Sequence, residues 1–254
     1  MSMFHMRSAC LIGVMMLCGS AAVRAETLET LEAKLAEQWK DVNAFKSDIT
    51  VDTTMALGPI AMTMKAAGTM EFKRFEESGR FRTDLTGTMG ASIPGMGEGM
   101  KMSMLSVYDG EFVYIEMGMM GQKQVQKKKP DASDTAKADG GKSLLNSLKK
   151  LGDVTLLPDE QVDGKDAYVV EVKYNAEAIA KAKGQADRTR MYIDKNTGMQ
   201  IKMEGFKGET RTMSMTYSNY DLKTEIPDER FTYTPPAGVR VIDADAAGAG
   251  LFGG

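Results

Sequence analysis

The 254-residue chain carries 32 Lys+Arg against 35 Asp+Glu, a mildly acidic balance that argues against nucleic acid or an anionic membrane surface as the main partner. Its only histidine, His5, and both cysteines, Cys10 and Cys18, lie in the first 25 residues. If that segment is removed, no disulfide, no zinc site built from Cys or His, no Ser-His or Cys-His pair and no imidazole base can form, so the expectation is a protein that is not an enzyme, with no catalytic residues, no metal and no cofactor.

Residues 1–25 read as a signal peptide. Arg7 supplies a positive start, Ala9 to Leu17 an apolar stretch, and Val23-Arg24-Ala25 a small-x-small cleavage site before Glu26. The apolar run is too short to remain as a bilayer anchor. Cys18 sits where a lipidation signal could place it, but Leu17 stands where such a signal needs a small residue. The expected product is secreted, soluble after cleavage and located in a bacterial periplasm, with 30 basic against 35 acidic residues and a net charge of -5. One domain over residues 26–245 and a flexible glycine-rich tail over 246–254 complete the predicted organisation.

In chain order, Glu26 to Val42 is predicted as an amphipathic helix with Leu28, Leu31, Leu35 and Trp39 on one stripe. Phe45 to Leu57 is rich in β-branched residues and reads as a strand. From Ile60 the chain alternates for thirteen residues. Ile60, Met62, Met64, Ala66, Gly68, Met70 and Phe72 fall on one parity, and Thr63, Lys65, Thr69, Glu71 and Lys73 on the other. It returns as Arg80 to Leu85, giving a hairpin with one apolar face.

Gly87 to Gly99, with three further glycines between them and Pro94, reads as a mobile loop carrying Met89, Ile93 and Met96, either a lid or a segment tucked onto the sheet edge. Met100 to Tyr108, an Asp109-Gly110 turn and Glu111 to Met117 form the next hairpin. Gln122 to Lys129 is expected as a polar edge strand, with Lys127, Lys128 and Lys129 solvated. A charged linker over 130–141 leads to a short helix, Lys142 to Leu151, with Leu144, Leu145, Leu148 and Leu151 on one face and Gly152 as its stop. Strands follow at Val154–Leu157, Ala167–Tyr174, Arg188–Ile193 and Met199–Phe206. Glu209 to Tyr220 then alternates with Met213, Met215 and Tyr217 on one side.

The predicted fold class is mainly β (α+β): about ten or eleven antiparallel strands, long enough to curl, with helices packing their apolar stripes on the concave side. Twelve of the seventeen methionines after residue 25 lie between Met55 and Met120. Methionine adapts to apolar partners of varied shape, so this clustering suits either a lipid-binding surface or a methionine-rich core.

Three segments resemble the LolA/LolB-like outer-membrane lipoprotein-sorting family. They are Gly68-Thr69-Met70-Glu71-Phe72-Lys73-Arg74 with Gly79-Arg80-Phe81-Arg82, then Tyr108-Asp109-Gly110-Glu111-Phe112-Val113-Tyr114-Ile115, and then Asp228-Glu229-Arg230-Phe231-Thr232-Tyr233-Thr234-Pro235-Pro236-Ala237-Gly238-Val239. The resemblance implies a single unclosed β-barrel of about eleven strands with helices covering an apolar hollow. It also implies a role as a monomeric periplasmic carrier, or chaperone, that binds lipoprotein acyl chains or other lipids for transport towards the outer membrane. An inner-membrane transporter and an outer-membrane receptor would be its partners.

The resemblance makes Arg74 and Phe81 the ligand-gating residues. Two departures stand out: Phe75 where the carrier usually has proline, and the 87–99 stretch, which looks like an insertion. The parity of the strands makes Ile60, Met62, Met64, Met70, Phe72, Met102, Met104, Met213 and Met215 the candidate lining, and Leu144, Leu145 and Leu148 the candidate lid helix. Read without the family, Arg74 is a strand-end charge beside Glu76 and Glu77, and Phe81 a core aromatic. The alternative function is a regulatory or scaffold module of the same fold that senses lipids or lipoproteins and contacts a protein partner.

Overall fold

The computed structural model describes residues 26–57, 60–75, 78–91, 99–130, 134, 144–181 and 185–247, the side chains of 56, 57, 60, 78, 181, 246 and 247 excepted. The signal-peptide reading of residues 1–25 and most of the 130–141 linker lie outside these residues.

One twelve-stranded sheet carries the fold, in the order β12-β6-β5-β4-β3-β2-β1-β11-β10-β9-β8-β7. The strands are β1 (Ala44–Leu57), β2 (Ile60–Phe75), β3 (Ser78–Ala91), β4 (Met100–Tyr108), β5 (Val113–Met119), β6 (Gln122–Lys128), β7 (Gly152–Val162), β8 (Lys165–Tyr174), β9 (Arg188–Asp194), β10 (Gln200–Lys207), β11 (Thr210–Asp221) and β12 (Val241–Asp243). The two edge strands do not pair, so the sheet is an unclosed half-barrel, and its two halves are joined where β1 pairs antiparallel with β11. Strands of 14 and 16 residues accumulate enough right-handed twist to curl the sheet, which gives it a concave and a convex side.

Helix α1 (Leu28–Trp39) lies on the concave side with α2 (Leu144–Leu151). The two threonines at its start set its N-terminus: Thr27 Oγ1 accepts from the Thr30 N–H at 3.3 Å, and Thr30 Oγ1 accepts from the Thr27 N–H at 2.9 Å. The helix is shorter than the predicted 26–42, because Trp39 O already accepts from the Val42 N–H in a turn. Leu31 and Leu35 of α1 and Leu145 and Leu148 of α2 form one cluster with Tyr168, Val170 and Val172 of β8 and Met191 and Ile193 of β9. A second cluster joins Phe45, Ile49 and Val51 of β1 to Met70, Phe72, Phe81, Leu85 and Tyr108.

Several expectations change. Gly87 is not the start of a loop: β3 runs on to Ala91, and a Cβ at Gly87 would stand 2.0 Å from Lys65 O. Glycine is needed there because β2 and β3 approach closely, not because the chain turns. Residues 92–98 lie outside the described set. Helix α2 ends at Leu151, just before Gly152, as expected, although Gly152 does not take the left-handed cap conformation. It opens β7 opposite Tyr174, where a Cβ would meet Lys173 O at 1.8 Å.

The fifth strand starts at Val113 rather than Glu111, because Asp109 Oδ1 accepts from the N–H groups of Glu111 and Phe112 and holds them in the turn. Finally, β6 is not an edge. β12 pairs with it in parallel along Val125–Lys127, a strand missing from the sequence reading because its three residues are too few to show a period.

Of the three lysines expected to be solvated, Lys127 and Lys128 have engaged side chains, whereas Lys129 is exposed and bonds through its backbone. Lys127 Nζ lies 3.5 Å from the Phe112 ring centroid, Lys128 pairs with Asp134, and the Lys129 N–H donates to Asp245. Asp245 belongs to a last helical turn, α4 (Ala244–Ala247), so part of the tail read as flexible is structured. A six-residue helix, α3 (Ala176–Lys181), connects β8 to β9.

The C-terminal segment crosses the convex side. Phe231 is fully buried and its ring meets Phe75 edge-on at 5.8 Å. Arg230 pairs with Glu71 at 2.9 Å, Lys73 with Asp228 at 2.6 Å, and the Tyr233 ring lies tilted against Tyr114, centroids 5.1 Å apart, while its hydroxyl donates to Glu116 at 2.7 Å.

Candidate functional site

On the concave side the helices do not fill the space beneath them. A hollow of about 290 Å³ lies between Trp39 of α1, Leu144, Leu148 and Leu151 of α2, and the inner faces of β1, β2 and β8 to β11. Its walls are methionine (Met70, Met191, Met203, Met213), aliphatic (Val172, Ile193) and aromatic (Phe45, Tyr174, Tyr217, Tyr220). Polar tips along the wall are turned onto the protein. The Tyr220 hydroxyl donates to Gln200 O at 2.6 Å, the Trp39 indole N–H to Gly198 O at 2.9 Å, and the Tyr174 hydroxyl and Thr189 Oγ1 share a hydrogen bond of 2.5 Å. What faces the hollow is therefore largely apolar.

Burial pushes the Tyr217 phenol up to about 12. Burial, with Tyr217 as its neighbour, raises Tyr220 as well. Both stay neutral at physiological pH.

A second hollow of about 190 Å³ adjoins the first, on the concave side of β2 to β6. Met70 and Tyr217 line both, so these two side chains form the partition. Ile49, Leu85, Met104, Val113, Ile115 and Met215 make most of its wall. Thr83, Ser106 and the Lys128–Asp134 ion pair supply its polar part.

The predicted lining residues separate into groups. Met70, Met213, Leu144 and Leu148 line the first hollow, and Met70, Met104 and Met215 the second. Phe72 is fully buried and stacked on Phe45 at 5.3 Å, behind the wall. Leu145 is fully buried in the helix-to-sheet cluster, and Met64 packs half-buried against the neighbouring one. Met62 is half-buried in β2, and Ile60 opens that strand with its side chain outside the described set. Met102 is buried but sits at the far end of β4, in a shallow open groove with Met100, Met119 and Met120 rather than in either hollow.

Of the two predicted gating residues, Arg74 donates from its guanidinium to Trp39 O, at the C-terminus of α1, at 3.0 Å. A cation there meets the negative end of the helix dipole, at a carbonyl that also accepts from the Val42 N–H. Phe81 is buried against Tyr108, ring centroids 5.6 Å apart.

Sequence reasoning missed Trp39, Phe45, Met191, Met203, Tyr217 and Tyr220 as lining, and Lys128 and Asp134 altogether. Met191 and Met203 stand opposite each other in β9–β10, and Met203 opposite Met215 in β10–β11, so the parity of Met213 and Met215 extended across the register would have found both. Nothing in the sequence places Asp134 beside Lys128.

No family model matches the chain. It is 22% identical over 219 residues, 86% of its length, to an uncharacterized protein of Methanocaldococcus jannaschii, and it spans about half (54%) of that protein. Among solved structures it is similar to a LolA superfamily protein from Nitrosomonas europaea (14% identity, 82% of this chain and 99% of that one, TM-score 0.31). It is also similar to the lipoprotein LppX of Mycobacterium tuberculosis (11%, 79% and 100%, TM-score 0.41) and to an uncharacterized conserved protein of Thermus thermophilus (8%, 85% and 98%, TM-score 0.44). At these scores the likenesses decide nothing about ligand or partner. Among the described residues no helix is long and apolar enough to cross a membrane, and no group of three or more His, Cys, Asp or Glu could hold a metal ion.

Proposed function

We propose that this chain is a LolA-like lipid carrier: it binds the acyl chains of lipoproteins or of other lipids in the methionine-lined hollow beneath α1 and α2, and carries them through the periplasm towards the outer membrane. The observation that carries the reading is the unfilled apolar space of about 290 Å³ on the concave side of the sheet, walled by side chains of both main hydrophobic clusters. Small-molecule sites span roughly 300–1,000 Å³, and the two adjoining hollows together fall in that range.

An acyl chain of about sixteen carbons exposes on the order of 10 kcal/mol of apolar surface at ~0.8 kcal/mol per methylene, so it needs a cover to cross water. Methionine suits that cover, since it follows chains of varied shape without the tight complementarity that would prevent release. On this reading, Arg74 controls access indirectly, by fixing the end of α1 whose Trp39 forms part of the wall. Membrane components that hand over and receive the cargo are part of the same proposal.

The test is native mass spectrometry of the protein purified from its own cell envelope. Bound lipid or lipoprotein, lost in Met213→Glu and Leu148→Glu and reduced in Arg74→Leu, is the expected result. An empty hollow together with a stoichiometric protein partner would overturn the carrier reading in favour of a sensing or scaffold module.

A further inference from the structure

The two hollows differ in one respect that the carrier reading does not use. The larger has its polar tips turned away and satisfied, whereas the smaller has a polar cluster in its wall. Lys128 and Asp134 meet there at 2.7 Å, with the carboxylate side chain 7% exposed and the lysine 24%. Thr83 and Ser106 stand opposite each other across β3 and β4 and line the same hollow. Lys128 itself is opposite Val113 across β5 and β6, which puts its stem on the inner face with the apolar wall. Two charges taken out of water are expensive even when paired, and an apolar pair of similar volume would often serve stability as well or better. A charged pair kept in the wall of an otherwise apolar hollow therefore calls for a role in recognition.

We propose, building on the lipid-binding reading, that the joined hollows take a single-chain amphiphile with an anionic head, a carboxylate or a phosphate. The tail lies in the larger hollow, the chain passes between Met70 and Tyr217, and the head group meets Lys128 in the smaller one. The incoming anion competes with the Asp134 carboxylate for Lys128, so the half-buried ammonium is paired before and after binding, and the cost of the exchange falls on the displaced carboxylate. Thr83 and Ser106 donate hydroxyl hydrogen bonds to the head. Met70, unbranched and flexible, is the side chain in the partition that can give way to a polymethylene chain.

The experiment displaces a fluorescent fatty-acid analogue from the purified full chain with three probes of equal tail length: dodecanoate, dodecyl phosphate and dodecan-1-ol. The anion gains a Lys128 contact that the alcohol cannot make, so it is expected to bind several-fold tighter than the alcohol in the unaltered protein, and about tenfold or more tighter in Asp134→Asn, where a charge-assisted hydrogen bond of ~1.5–3 kcal/mol is added rather than exchanged. Whichever anion wins identifies the head. Asp134→Asn removes the competing carboxylate, so it is expected to tighten the anions several-fold and leave the alcohol unchanged. A merely destabilised protein would not show that direction.

The double variant Lys128→Met, Asp134→Leu removes both charges of the pair, and a circular-dichroism melt checks that it folds. It is expected to bind all three probes alike. Equal binding of the three probes to the unaltered protein, or a retained anion preference in the double variant, would overturn this inference and leave the carrier reading standing. Failure of all three probes to bind would overturn both.

Discussion

The two sides of β2 receive opposite treatment from the rest of the chain. On the convex side Glu71 and Lys73 lie under the C-terminal segment, each in an ion pair, with Phe231 fully buried beside them. On the concave side Met70, from the same strand, faces a void. Around Met70 to Lys73 both sides are covered, one by a strap that fits and the other by helices that stand off. The difference teaches that the hollow is not a general looseness of packing: where this sequence closes a surface it does so with buried aromatics and satisfied charges, so the open space on the other side has to be explained by what enters it.

The comparison can be broken most severely on the convex side. Phe231→Ala deletes a fully buried ring and is expected to lower the unfolding free energy by about 3–5 kcal/mol, read from urea denaturation. Met213→Ala, in the wall of the larger hollow, should cost clearly less, because its methionine already borders empty space. Equal losses would mean that the two sides are packed alike.

Next in size, Glu71→Gln weakens the pairing with Arg230. Glu71 is buried but Arg230 is 40% exposed, so solvent screening holds the loss to about 1–2 kcal/mol in the same measurement. On the concave side Met70→Trp should fill the partition, weakening acyl-probe binding by about tenfold or more, ~1.4 kcal/mol, while stability changes little. Unchanged binding would show that ligands do not pass between the hollows.

The smallest effect is pH-dependent. Burial opposes ionisation of Glu116, but hydrogen bonds from Lys123 and Tyr233 override it and hold the carboxyl below its ordinary value of 4.5. A folded-state pKa lowered in this way contributes stability above that value and loses it as pH falls through the folded one. The convex side should therefore loosen in acid, and the fall in stability below about pH 4.5 should be shallower in Glu116→Gln than in the unaltered protein.

Alternation over β2 and the β-branched run of β1 were enough to read these strands to within a residue or two, and the stripe Leu28, Leu31, Leu35 and Trp39 gave α1 its buried side. Gly87 misled, since it carries the signal of a turn, whereas Gly152 did mark the end of α2; at both, only the neighbouring strand shows why a Cβ is excluded. Met102 misled for a different reason. Parity gives the face of a strand and not the position along it, and this residue lies beyond the reach of the hollows.

The sequence by itself determined the mainly β class, the apolar parity of the long strands and the helical stripes that cover them, because periods of 2 and 3.6 are local properties of the backbone. The tertiary structure decided which residues meet. It set Arg74 on Trp39 O, made Met70 and Tyr217 the partition, brought Asp134 to Lys128, and drew the C-terminal segment over Glu71. Each of these depends on how far the sheet curls and which strands become neighbours, and no local pattern encodes that.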